Sequence, residues 1–244
     1  MKKILLILIL LITANNIFAA DFSLSTGGGG LIGYTFTRYT LEGDSPEGSL
    51  LSIQNMDRVN YGGFLFFDAT YAVLSVMFQG GSNSYAEDMI IAGQTEMAGK
   101  GLGEEISFGI SLMGKYPFSL NEKLTLFPML GLEYHFAIRQ WRQPEGEFTV
   151  DRTKGKLAED VDKDSNPYPL SAFNSLWINI GAGLDYNFAR SFFLRTEFVF
   201  GFRLPTPYEM GALEFVESQF DATNIKLGGL TGNPTLRFAI GYRF

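Results

Sequence analysis

The chain has 244 residues, among them 28 glycines and 23 phenylalanines but no cysteine, and its formal net charge is −7. The missing cysteine excludes a disulfide framework and lipid attachment at a processed amino-terminal cysteine, and the acidic balance argues against nucleic acid as a partner. Beyond residue 20 no stretch approaches 18 consecutive apolar residues, so any membrane passage must be made by something other than helices.

Residues 1–20, MKKILLILILLITANNIFAA, place Lys2 and Lys3 before an apolar stretch from Ile4 to Ile12 and end on Ala19 and Ala20. This is the pattern of a secretory signal peptide cleaved after Ala20, although Phe18 stands where an A-x-A site has alanine. The stretch is too short to span a bilayer, which takes about 20 residues. Residues 21–244 are expected to form one domain. GGGG at 27–30 lacks the helix context of a phosphate loop and is read as a flexible lead-in to a first strand.

From there the chain alternates. The first run, near 29–39, puts Ile32, Tyr34 and Phe36 on one face. The second, near 57–67, sets Val59, Tyr61, Leu65 and Phe67 against Arg58, Asn60 and Gly62. A tight turn at Asp68 to Thr70 leads to TYAVLSVMFQ, where Leu74, Val76 and Phe78 share a face. A long connection over roughly 80–103 precedes EEISFGISLMGKYPF, whose Ile106, Phe108, Ile110 and Leu112 oppose Glu105, Ser107 and Lys115. The SLNEK turn opens a fifth run with Leu130, Leu132, Tyr134, Phe136 and Ile138 opposite Glu133, His135 and Arg139. A charged connection near 142–173 leads to a sixth run, with Ile178, Ile180, Leu184 and Tyr186 opposite Asn179 and Asp185. After a turn at Ala189 to Ser191, Leu194, Phe198 and Phe202 oppose Arg195, Glu197 and Arg203. A fourth long connection precedes the closing run.

Alternation at a period of two is the signature of a strand with one apolar face. Eight such runs, joined by alternately long and short connections, predict an all-β fold, an eight-stranded antiparallel transmembrane up-and-down β-barrel. A soluble sandwich or lipocalin-like barrel would turn the apolar face inward. Here the bulky face is nearly uncharged, while the other carries glycine, serine, asparagine and charges of both signs in mid-strand. That division suits lipid outside and a polar lumen. Several runs also reach the 9 to 11 residues that cross a bilayer at a steep tilt. Pro128 falls inside the fifth run, so a bulge or a later strand start is expected there.

The closing stretch RFAIGYRF puts Leu236, Phe238, Ile240, Tyr242 and Phe244 on one face. With this ending the chain resembles the small outer-membrane barrels of diderm bacteria, the OmpA-like, OmpX-like and OmpW-like group. The resemblance covers the whole of residues 21–244 as a strand plan and is most specific in those five positions. It implies an outer-membrane monomer with both termini in the periplasm, surrounded by outer-membrane lipids. It also implies that the barrel assembly machinery reads the final strand as a signal. Tyr116, Phe118, Tyr186, Phe188, Tyr242 and Phe244 fit an aromatic girdle at the periplasmic interface.

Parity sends Arg58, Glu105, Lys115, Glu133, His135, Arg139, Asp185, Arg195, Glu197, Arg203, Arg237 and Arg243 into a lumen that eight strands leave just wide enough for side chains. Charges in such a space must pair, and a lumen network with Asp185 almost opposite Arg195 is expected. No catalytic set, cofactor or metal is called. His135, the single histidine, has Glu133 on the same face but points into the lumen, away from the acyl chains that a lipid-modifying barrel would attack. Asp160, Asp162 and Asp164 imitate a calcium loop, but Ser165 and Ser171 stand where glycine and glutamate belong. Function is therefore expected in a plugged anchor with acidic loops (Glu145, Glu147, Asp151, Glu159, Asp160) facing a surface ligand or host molecule. A narrow conduit for small apolar molecules is the alternative, resting on inward Phe64, Phe66, Phe127 and Met129.

Overall fold

The computed structural model describes residues 23–144, 156–157, 170–207, 209–210, 221 and 223–244. The signal segment, the loop acids and the D-x-D-x-D stretch lie outside the described residues. Eight long strands follow in chain order: β1 (Ser25–Ser45), β2 (Gly48–Asp68), β3 (Ala72–Ile91), β4 (Gln94–Lys115), β5 (Leu124–Pro144), β6 (Ser175–Asn187), β7 (Phe192–Arg203) and β8 (Thr223–Arg243). Each pairs antiparallel with its chain neighbour, and β8 returns to pair with β1, so the sheet closes into an eight-stranded ring. The closing seam keeps one register from Ser25 opposite Arg243 through Leu31 opposite Arg237 to Glu42 opposite Lys226, and shifts by one before Asp44 meets Thr223.

The wall has the polarity of a transmembrane barrel. Leu65, Leu112, Leu130, Ile180, Phe198 and Ile240 are exposed, while Asn60, Ser111, Glu133, Asn179, Asp185, Arg195 and Arg237 are buried inside. This inversion leaves apolar groups for lipid, and the closed ring gives the strands neighbours on both sides across the apolar band, the arrangement a bilayer demands. At the short-turn end Tyr71, Tyr116 and Phe118 touch in sequence, as do Phe188, Phe192, Tyr242 and Phe244. The six girdle residues read from the sequence are all exposed there.

Four sequence expectations need correction. Gly27 to Gly30 are no flexible lead-in: they pair on both sides, with Gly241 to Phe238 and with Phe66 to Gly63. Their smallness serves packing, because a Cβ on Gly27 would overlap the Phe66 ring and one on Gly29 would run into the Phe238 carbonyl. The first two long connections are largely strand. β1 and β2 meet through Pro46 and Glu47 alone, and β3 and β4 through Ala92 and Gly93, both at positive φ (49° and 82°), as a two-residue hairpin turn of type I′ has. β1 to β5 and β8 each have 20 to 22 residues, whereas β6 and β7 have 13 and 12. Since 9 to 11 residues cross the bilayer, six strands continue well past the apolar band and the wall is lowest over β6 and β7.

Arg139 is exposed outside the barrel rather than inward, because a bulge opposite Ile106 and Ser107 leaves Ile138 unpaired and shifts parity by one, so that Gln140 becomes the buried residue. Pro128, finally, causes neither a bulge nor a late start: β5 runs through it, in unbroken register with Ala182 of β6. Its carbonyl accepts the Tyr116 N–H (3.2 Å) on the β4 side. Its missing donor therefore points to where β4 has already ended at Lys115, so no ladder bond is lost. Pro128→Ala is accordingly expected to change urea stability in micelles by less than about 1 kcal/mol. A loss of several would show that the ring itself holds this end of the seam.

Candidate functional site

The lumen is filled by side chains in tiers. At the short-turn end, Arg195 of β7 faces its cross-strand partner Asp185 of β6. Its Nε and Nη2 donate to the two Asp185 oxygens, both at 2.7 Å, and Nη2 also reaches Asp68 Oδ2 at 2.6 Å. Lys115 Nζ donates to the same Asp68 oxygen at 2.5 Å. All four groups are buried, and two cations balance two carboxylates. Three phenyl rings enclose the guanidinium, Phe66, Phe127 and Phe193 lying 4.6, 4.9 and 5.2 Å from its carbon. Each ring takes space that a glycine vacates, since a Cβ on Gly27, Gly183 or Gly241 would overlap Phe66, Phe127 or Phe193 respectively.

Glu133 of β5 is the hub of the middle tier. Its Oε2 accepts from Arg237 Nη2 at 2.7 Å and from Asn179 Nδ2 at 3.0 Å. Its Oε1 lies 2.5 Å from His135 Nε2. The Gln79 amide meets His135 Nδ1 at 3.0 Å; with the amide donating, the ring proton sits on Nε2 and points to Glu133. Glu197 joins the tiers, 3.8 Å from Arg195 Nη1 and 3.8 Å from Arg237 Nη1.

Toward the loop end, Arg58 pairs with Glu105 and Arg203 with Glu209. Glu209 sits on a short turn past β7, where its carboxylate also accepts the Thr206 N–H at 2.7 Å. These two pairs border a vestibule of about 40 Å³ above the end of the middle tier.

The structure thus brings Lys115, Asp185, Arg195 and Glu197 into one connected set with Glu133, His135 and Arg237. Arg58, Glu105 and Arg203 form the vestibule pairs, and Arg139 lies apart on the outer wall. Arg243 lies over the Phe193 ring at 5.3 Å. Phe238, Ile240, Tyr242 and Phe244 are exposed on the outer face and Leu236 is half-buried. The sequence reading missed Asp68 and Glu209. Asp68 shares the parity of Arg58, Phe64 and Phe66 but reads as part of a turn, and Glu209 follows two prolines in a segment with no period at all. Gln79 alternates with the outward Phe78, which turns it inward, but nothing in the sequence points to His135 as its partner.

No protein-family model matches the sequence, and no curated protein does. Solved structures with a similar strand plan include Neisserial surface protein A, from Neisseria (11% identity, 89% of this chain, 99% of that one, TM-score 0.36). Outer membrane protein OprG from Pseudomonas aeruginosa gives 8% identity, 92% and 96% coverage and a TM-score of 0.43. Ail, the attachment invasion locus protein of Yersinia pestis, gives 12% identity, 92% and 100% coverage and a TM-score of 0.30. At such identities and TM-scores none of them assigns a ligand or an activity to this chain. Its own ring closure and inverted polarity are those of the small eight-stranded outer-membrane barrels.

Proposed function

We propose that the protein is an outer-membrane barrel of a diderm bacterium, exported by a signal peptide removed after Ala20, whose lumen is a structural plug and whose extracellular wall and loops are its working surface. The observation that carries this reading is the connected ion-pair network from Lys115 and Asp68 through Arg195 and Glu197 to Arg237 and Glu133. Every charge in it has a partner, and opening a water path would require separating pairs held in a space of low dielectric, where unpaired ions are expensive. A monomer embedded in outer-membrane lipid and delivered by the barrel assembly machinery fits this role, with a surface ligand or host molecule at the loop end.

Purified monomer in planar bilayers is expected to give no stable openings of porin size. Reproducible openings of that size would sink the plug. The conduit for small apolar molecules draws support from the buried cluster of Phe64, Phe66, Phe127, Met129 and Phe193. Arg195, however, lies against three of those rings, and a charged group in the path makes apolar passage costly. A lipid-modifying activity has less to work with: His135 is 2% exposed, with both ring nitrogens engaged inside the lumen.

A further inference from the structure

The outer wall changes character at one level. Going up from the apolar band, the first polar outward side chain is charged on β1 (Arg38), β2 (Asp57), β4 (Glu104) and β5 (Arg139), but on β3 it is Ser82, followed by Ser84. Both serines are exposed. Cross-strand pairing sets Ser82 between Val59 and Glu104, and Ser84 between Asp57 and Leu102. Two small side chains among larger ones leave a hollow of about 340 Å³, open on its outer side, which Tyr34 borders beyond Val59. One step below lie the outward Ile32, Tyr61 and Ile106, and one step above lie Arg38, Asn55 and Lys100. The hollow therefore sits where a bilayer passes from acyl chains to headgroups, the depth at which tyrosine gathers.

From this geometry we infer that the hollow seats the saccharide headgroup of an outer-leaflet glycolipid, its hydroxyls on Ser82, Ser84 and Asp57 and its C–H face against Val59 and Leu102. The inference rests on the outer-membrane reading proposed above. Depth selects the source, because a wall at headgroup level meets what lipid brings there. Charge selects the chemistry. Arg38 is committed: Nη2 donates to Asp57 Oδ1 and Oδ2 at 2.7 and 2.9 Å, and Nη1 to the Thr37 and Met56 carbonyls at 2.8 and 3.2 Å. The Tyr34 hydroxyl also donates to Asp57 Oδ1, at 2.8 Å, which leaves Oδ2 the freer acceptor. A phosphate would thus lie between Asp57 and Glu104 with the nearest guanidinium already taken. An ammonium would find Asp57 neutralised by Arg38, and Glu104 is engaged as well. A neutral polyol suits such a rim, since each hydroxyl both donates and accepts. Size agrees: the volume is at the low end of small-molecule clefts, about 300–1,000 Å³, and takes a single sugar ring while the acyl chains descend over the exposed Tyr61 and Phe78.

The test uses the mature barrel refolded in amine-oxide micelles with its eleven tyrosines replaced by 3-fluorotyrosine. The Tyr34 fluorine resonance is assigned by its loss in Tyr34→Phe. Tyr116, equally exposed at the opposite end of the wall (40% against 42%), reports general changes in the micelle. Octyl β-D-glucoside, octyl phosphate, octylammonium and free glucose are added in turn at constant pH and ionic strength. Octyl glucoside is expected to shift Tyr34 saturably and Tyr116 only in proportion to its mole fraction, while the other three leave Tyr34 following Tyr116. Ser84→Ala should weaken octyl glucoside about fivefold, the loss of one hydrogen bond. Ser82→Leu with Ser84→Leu, which fills the hollow from the lipid side, should abolish the saturable shift in protein that remains heat-modifiable. A Tyr34 response no different from that of Tyr116 would overturn the proposal. So would saturation by octyl phosphate or octylammonium, which assigns a charged headgroup, by free glucose as strongly as by octyl glucoside, which assigns a soluble sugar, or an unchanged affinity in Ser84→Ala. The micelle measurement is independent of cellular location, so the outer-membrane reading is tested separately, by the membrane fraction in which heat-modifiable protein is found.

Discussion

Deleting Phe244 is expected to reduce folded, surface-exposed protein in cells severely while lowering refolding yield in detergent far less. The structural share of Phe244 is small. Its N–H donates to the Leu24 carbonyl at 3.0 Å, and its ring, stacked edge-on against Tyr242 at 5.4 Å, is 73% exposed. One backbone hydrogen bond contributes about 1 kcal/mol net, and the seam between β1 and β8 keeps all its other pairs from Ser25 and Arg243 upward. A micelle, which only asks the chain to close its ring, should therefore tolerate the loss. A cell asks for delivery as well, because an unclosed edge in lipid leaves each backbone group unsatisfied at several kcal/mol. The resemblance of the closing stretch implies that delivery depends on the final aromatic. The measurement compares heat-modifiable protein at the cell surface with refolded yield in micelles. Wild-type levels of the truncated chain in the outer membrane would show that Phe244 is no assembly signal, and an equal collapse in micelles would make its role structural instead.

The sequence revealed the lower half of this barrel and concealed the upper half for one physical reason. Where lipid lies outside, every second residue must be apolar, and Leu126, Leu130, Leu132 and Tyr134 announce β5 without help. Above the bilayer both faces of the wall meet polar surroundings, so SNSYAED in β3 and QTEMAGKG in β4 show no period of two and read as loop, although both are strand. Parity failed for the same class of reason at Arg139. It counts residues, and a bulge at Ile138 adds one that leaves no mark in the sequence. The ion pairs were legible where a hairpin fixes opposition, as for Asp185 and Arg195. Asp68 was not, since it meets Arg195 from 127 positions away. Only the closed ring brings those strands' ends together.

That layer is also where the largest loss of stability is expected. Arg195→Leu should destabilise the barrel by roughly 3–5 kcal/mol, the usual cost of stranding a buried partner. The reason lies in who is left behind. Asp68 keeps Lys115, but Asp185, only 2% exposed, loses both hydrogen bonds that Arg195 donates to it, and the three rings lose the cation they enclose. The double variant Arg195→Leu with Asp185→Asn should recover much of this, because removing both partners leaves no orphaned charge, and the non-additivity measures the coupling directly. The layer has a second effect that stability alone does not report. A one-residue slip of β7 against its neighbours would turn Arg195 and Glu197 out into lipid, where each charge at mid-depth costs a further few kcal/mol. The pairs therefore select one register among those the apolar pattern could close. Urea titrations in micelles give the stabilities, and cysteine cross-linking of the directly opposed positions Thr196 and Leu184 reports the register. If Arg195→Leu loses less than about 1 kcal/mol, or the double variant is simply the sum of its parts, the charged tier is neither holding the lumen nor setting the closure.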